Sequence, residues 1–311
     1  KLYPKSKYHD QTLRSRMAEL SSLIRGFLIY IHLQKNPFQQ KMIQASELME
    51  RQKFTISEKI LKESLDALEK DKLLDPKYFE KRYLALSKLF NVLKAQENYK
   101  EMLDIEIKRA ECFICFFLTD FLLNAKDIIT SNIHQKDTKE SNVVNEFINN
   151  FSFEKFLGFL KESKNENYAV IAIYYYSYLS RKENDKEEHY YNLKEIIFKE
   201  YNKFSKIHHY NFWDFLSGAF YPSLFNIDKK FYMEKFEIDK FFAELDCFLC
   251  INNKFMYAQT FTNIFAGAVL VNELEWVEEF IIKNKDKLLP EIRENTFNYC
   301  MALLYTKKLE F

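Results

Sequence analysis

The sequence predicts an all-α chain, an array of antiparallel helical hairpins with no β-sheet, and three observations predict it. Apolar residues recur at spacings of three and four along one run after another, the period of a single helix face. Helix-start residues introduce most of those runs: Asx or Ser/Thr caps, or Pro at the first helical position. No stretch alternates with period two for a strand's length. Of 311 residues only 4 are Gly and 5 Pro, and no Asn-Gly or Asp-Gly pair occurs, although tight β-turns depend on such pairs.

Taken in order, Asp10 caps a run to about Gln34 with Leu13, Met17, Leu20, Ile24 and Phe27 in its stripe. Asn36-Pro37 opens the next, to about Gln52, with Pro where a missing N–H costs nothing. Thr55 with Glu58 has the form of a capping box and starts a helix to about Lys72 that buries Ile60, Leu61, Leu65 and Leu68. Asp75-Pro76 opens another, striped by Tyr83, Leu86, Leu89, Phe90 and Leu93. The helix from about Tyr99 to Ile128 is so apolar over Cys112–Leu123 that a central place in the packing is expected.

The run 135–142 is polar, charged and aperiodic, which predicts a linker between an N-terminal helical region, 1–134, and a C-terminal one, 143–311. Shorter helices follow near Val143–Asn149 and Phe153–Glu162. An almost wholly apolar one spans Tyr168–Leu179, and Arg181–Glu188 reads as a charged, exposed turn in which Asp185 and Glu188 form a second capping box. Further helices are expected over about Asn211–Phe225, Phe236–Ile251, Phe255–Val271, Glu273–Lys285 and Pro290–Thr306.

The last third carries an internal echo. Thr262, Phe265, Ala266 and Val269 return thirty-four positions later as Thr296, Tyr299, Cys300 and Leu303, with Trp276, Phe280 and Ile281 on a helix between and Pro290 opening the next unit. Small residues at Ala266 and Cys300 would let two helix backbones approach, with Phe265 and Tyr299 filling the adjoining groove. The stretch from Tyr83 through Asn98-Tyr99 to Arg109 has the same helix, turn, helix form, with Phe90 where a small residue is expected. Over about Ala258–Tyr305 this resembles the tetratricopeptide repeat (TPR). The resemblance implies a TPR-like α-solenoid and a non-catalytic scaffold for protein–protein or peptide interaction, with no cofactor and with a protein or peptide partner.

Several function classes are excluded by composition. The glycines, Gly26, Gly158, Gly218 and Gly267, are isolated, so no phosphate-cradling loop and no G-x-S-x-G elbow exists. The formal net charge of +1 argues against a wholesale nucleic-acid binder. Aromatics make up 17% of the chain and are read as fillers of helix interfaces. The longest uncharged stretch, Phe255–Asn272, carries Gln, Thr and Asn, so no membrane span is expected. An odd count of five cysteines and no visible signal peptide place the chain in the cytoplasm. A start at Lys1 and an end at Phe311 suggest a piece of a longer protein, and a homo-oligomer is open.

Residues with reactive side chains form no catalytic, cofactor-binding or metal set. Cys112-x-x-Cys115 and Cys247-x-x-Cys250 have zinc spacing, but both sit in apolar helical runs and are read as core packing. His208-His209 is expected to cap a helix end or lie solvated there. Glu273, Glu275, Glu278 and Glu279 form a solvated face opposite Trp276 and Phe280. The basic segment with Lys5, Lys7, Arg14 and Arg16 resembles the start of a helix-turn-helix recognition helix. Its alternative implication is a nucleic-acid-linked regulator whose helical array senses or dimerises.

Overall fold

The structure, a computed structural model, describes residues 10–34, 36–70, 74–135, 142–183, 186–219, 230–249 and 254–309. Among these residues there is no strand; the β-type pairing is an isolated bridge between Met256 and Leu288. The α-helices are α1 (Asp10–Gln34), α2 (Pro37–Glu50), α3 (Phe54–Lys70), α4 (Pro76–Ala95) and α5 (Tyr99–Gln135). They continue with α6 (Asn142–Asn150), α7 (Phe153–Glu162), α8 (Tyr168–Lys182), α9 (Glu187–Glu200) and α10 (Lys206–Ala219). The last are α11 (Lys230–Glu244), α12 (Ala258–Leu270), α13 (Leu274–Asn284) and α14 (Pro290–Leu309).

The chain forms two compact units, Lys1–Asp71 with Glu80–Cys112, and Lys72–Phe79 with Phe113–Phe311. The chain therefore passes between the units after Asp71, within α4 after Phe79 and within α5 after Cys112, not through the polar run 135–142. That run joins α5 to α6 within the second unit, and 136–141 lie outside the described residues.

In the first unit α2 and α3 pack as a tight hairpin. The core is Met42, Ala45, Leu61, Leu86, Leu89, Val92 and Leu93 with Ile105 and Cys112. Asn36 caps α2 by accepting the Gln39 N–H at 3.2 Å. The Thr55–Glu58 box does not form: α3 already starts at Phe54, and Glu58 holds Lys62 at 2.7 Å while Lys62 also reaches Glu101 of α5 at 2.7 Å. The expected burial of α1 is also absent. Met17, Leu20, Ile24 and Phe27 are exposed together with Leu23 and Leu28, with Leu23 72% and Phe27 61% accessible.

In the second unit α8 is buried along almost its whole length, packed against α7, α9 and α10. The three helices α8, α9 and α10 touch one another pairwise, and so do α12, α13 and α14, with α10 and α12 both packed on α11. The Cys112–Leu123 run is only half buried: Cys115, Leu118 and Leu122 face inward, while Phe113, Ile114 and Phe117 are exposed. An all-apolar helix surface can lie partly outside because the inward face is set by its period, not by its mean hydropathy. Phe117 and Phe121 instead join an aromatic ladder through Phe147, Phe151 and Phe153 to Tyr175, each step between 4.6 and 5.9 Å.

Helices in this glycine-poor chain end on other residues. Gln52, Glu97, Lys164, Asp246 and Asn272 all have positive φ, between 52° and 63°. After four of them the next N–H reaches back five residues: Lys53 to Leu48 (2.8 Å), Asn98 to Leu93 (3.0 Å), Asn165 to Leu160 (2.9 Å) and Glu273 to Ala268 (3.0 Å). This is the Schellman closure, normally the office of glycine. In three of these turns the residue two past the left-handed position, Phe54, Tyr99 or Leu274, is apolar and begins the next helix. The same short connection is thus used between α2 and α3, α4 and α5, and α12 and α13.

The thirty-four-residue echo is not reproduced in burial. Phe265 and Cys300 are buried, but Ala266 and Tyr299 are exposed, Tyr299 by 59%. The inward stripe of α12 is Phe261, Ile264, Phe265 and Ala268, and that of α14 is Cys300 and Leu304. Equivalent inward positions are thus offset by thirty-five or thirty-six residues. Trp276 does pack as an interhelix aromatic, stacked on Phe280 at 5.3 Å and edge-on to Phe236 at 5.1 Å. Pro290 opens α14 as expected.

Candidate functional site

The second unit contains a cleft of about 600 Å³. Its walls are Lys126, Asp127 and Thr130 of α5, Arg181 of α8, Trp213, Asp214, Ser217 and Gly218 of α10, Tyr232 and Lys235 of α11, and the exposed side of α12 from Gln259 to Leu270. A volume of this size suits a small organic ligand.

Three cations line it, and two of them have carboxylate partners. Lys126, only 5% exposed, lies 3.1 Å from Asp127, 3.4 Å from Asp214 and 4.7 Å from the ring centre of Phe215. Lys235 bonds the fully buried Asp239 at 2.6 Å, and the Trp213 indole N–H donates to the same carboxylate at 2.7 Å. Burial still pushes the Asp239 carboxyl above the usual carboxylate range, against the pull of Lys235 and of the indole. The third cation, Arg181, is 8% exposed and makes no hydrogen bond or ion pair with any described residue, and its Nε is enclosed without a partner. Burial lowers its pKa from the usual value while Asp214 and Asp127 raise it.

Two glycines, each in the last turn of its helix, make room for this arrangement. A Cβ on Gly218 would fall 1.3 Å from Nη2 of Arg181, so the guanidinium occupies the place of a side chain. A Cβ on Gly267 would come within 3.3 Å of Asp239 Oδ2. Both glycines cost helix propensity relative to Ala, and an isolated glycine in a helical pattern was the available sign of close packing. The turn assignment hid Arg181, which belongs to the last turn of α8 and is not exposed.

The other predicted residues are scattered. Arg14 and Arg16 lie on the exposed surface of α1, and Arg16 binds Glu19 at 2.9 Å. Lys5 and Lys7 lie outside the described residues. Cys112, Cys115 and Cys247 are buried cysteines in no disulfide among the described residues, and Cys250 lies outside those residues. Burial raises the Cys112 pKa and pushes that of Cys300 up to about 11. Among the described residues no group of three or more His, Cys, Asp or Glu side chains is placed to hold a metal ion. None of the described helices is long and apolar enough to cross a membrane.

Of the two expectations for His208 and His209, solvation or capping at a helix end, solvation fails, while His209 does meet the carbonyl of Tyr201, the C-cap residue of α9. Both histidines are buried in the first turn of α10. His208 Nδ1 lies 2.9 Å from Ser205 Oγ and 3.7 Å from Asp75 Oδ2, and His209 Nε2 lies 2.9 Å from the Tyr201 carbonyl oxygen. Burial lowers the His208 pKa, partly countered by Asp75. The pair anchors the segment before α4, whose Leu74 N–H also donates to the Lys203 carbonyl at 2.9 Å.

No protein-family model matches the chain, and no curated protein or solved structure matches it either.

Proposed function

We propose that the chain is a non-catalytic, TPR-like helical-repeat scaffold that binds another protein chain, with a second copy of itself as the first partner to test. The observation that carries this reading is the open face of α1. Met17, Leu20, Leu23, Ile24, Phe27 and Leu28 lie on one helix and are all about half exposed or more. Contiguous apolar surface of this kind marks protein-binding sites in soluble proteins. A helix face can pack against its own copy across a two-fold axis, the commonest oligomer symmetry.

Support for the repeat reading is independent of that face. The pairwise contacts within α8–α9–α10 and within α12–α13–α14 are those of a hairpin followed by the first helix of the next. The recurring left-handed turn gives three of the hairpins one connection. Cys112 and Cys300, buried and in no disulfide among the described residues, fit a reducing, cytoplasmic setting.

Sedimentation of the full chain over a concentration series tests the proposal. The wild type is expected to associate and the Leu20→Glu/Phe27→Glu variant to stay monomeric with an unchanged helical CD spectrum. Wild type that sediments as a monomer throughout would count against it. A salt-dependent mobility shift with duplex DNA, lost in Arg14→Ala/Arg16→Ala, would favour the regulator instead.

A further inference from the structure

We infer that the cleft around Arg181 is a binding site for a small organic carboxylate, with the Arg181 guanidinium as its anchor. This goes beyond the scaffold reading and does not depend on it.

Arg181 carries a buried hydrogen-bond donor that no described residue uses. Arginine remains ionised in proteins and carries five N–H donors. A buried ion without a partner is costly, and interiors normally pair such groups. Lys126 and Lys235 have carboxylates at contact distance, whereas among the described residues none lies at contact distance from Arg181, on which Asp214 and Asp127 act only from farther away. The Ser217 hydroxyl, also enclosed and without a partner among the described residues, lines the same cleft. Two orphaned polar groups therefore border one cavity.

The position is also built. Arg181 reaches its place only because residue 218 has no Cβ; any other residue would collide with the guanidinium. Gly218 stands in the last turn of α10, and what its missing Cβ makes possible is a planar cation at the cleft wall.

Charge and shape then select the ligand. The planar fork of a guanidinium matches a carboxylate through two parallel hydrogen bonds. Asp127 and Asp214 also border the cleft, and their repulsion acts twice as strongly on a phosphate dianion as on a carboxylate monoanion, which needs only the one guanidinium to neutralise it. Trp213, Ala266 and Leu270 supply apolar surface for the organic part.

Trp213 lines the cleft and only one other Trp exists, Trp276, so a Trp276→Phe background reports on the site by fluorescence. Acetate, butyrate and inorganic phosphate are titrated into the full chain at constant ionic strength. Saturable responses to acetate and butyrate are expected, with phosphate weaker by roughly tenfold or more. Arg181→Gln should abolish the response. Gly218→Ala, which displaces the guanidinium without removing its charge, should weaken it by roughly tenfold or more, the scale of one lost charged hydrogen bond. If Arg181→Gln unfolds by CD, Gly218→Ala decides alone. Absence of a saturable carboxylate response, equal binding of phosphate, or a response that survives the substitutions would overturn the assignment.

Discussion

Gln52, Glu97 and Lys164 hold left-handed backbone conformations that a Cβ disfavours by about 1–2 kcal/mol. Their side chains are not required by the Schellman bonds, which run between backbone groups. Gln52→Gly and Glu97→Gly are therefore expected to stabilise the protein by about 1 kcal/mol each in urea unfolding. Asn272→Gly should gain less, since Asn tolerates this conformation better. His208 supplies a prediction of the opposite kind. Its folded pKa lies below the usual 6.5, so the unfolded chain binds its proton first as pH falls. Its contribution is complete above about pH 6.5 and is lost as the pH falls below that value and through the depressed folded pKa. His208→Gln should flatten this part of the stability–pH profile. The caps at Asn36 and Asp75 were legible as residues, with Asp75 accepting the Tyr78 N–H at 2.7 Å. Arg181 was not, because a charged residue beside Lys182 and Glu183 reads as a turn until the glycine on a facing helix is known.

At the level of elements, periodicity located most of the helices that pack but gave no run for α9, announced only by the capping box before it, and it failed where amphipathicity and burial part company. The stripe on α1 has the form of a core face but is exposed, so Leu23→Ser should change the unfolding free energy by less than about 0.5 kcal/mol. Leu89 of α4 is 1% exposed in the first core, and Leu89→Ala should cost about 3 kcal/mol. The thirty-four-residue echo failed for a related reason. Matching residue types along α12 and α14 located both helices, but a shift of one or two positions on a helix turns a side chain through roughly 100–200°. That rotation puts Ala266 and Tyr299 outside while Phe265 and Cys300 remain inside. Helix ends were least legible where a single cap residue stands among charged and aromatic neighbours, as at α10, which follows Ser205 and starts at Lys206 instead of near Asn211.

For the whole molecule, the balance of 46 basic and 45 acidic residues leaves association to apolar faces and to local charge, not to a global field. The absence of a strand among the described residues was legible from the lack of period-two runs, whereas the boundary between the units was not, because α4 and α5 cross it without any break in their helical pattern. The central claim is that a face designed for burial stays open until another chain covers it. Hydrogen–deuterium exchange of α1 at low and high protein concentration measures this directly. Amides between Met17 and Leu28 should become protected at high concentration in the wild type and remain unprotected in Leu20→Glu/Phe27→Glu. Exchange in α1 that is the same at both concentrations and in both proteins would contradict the claim.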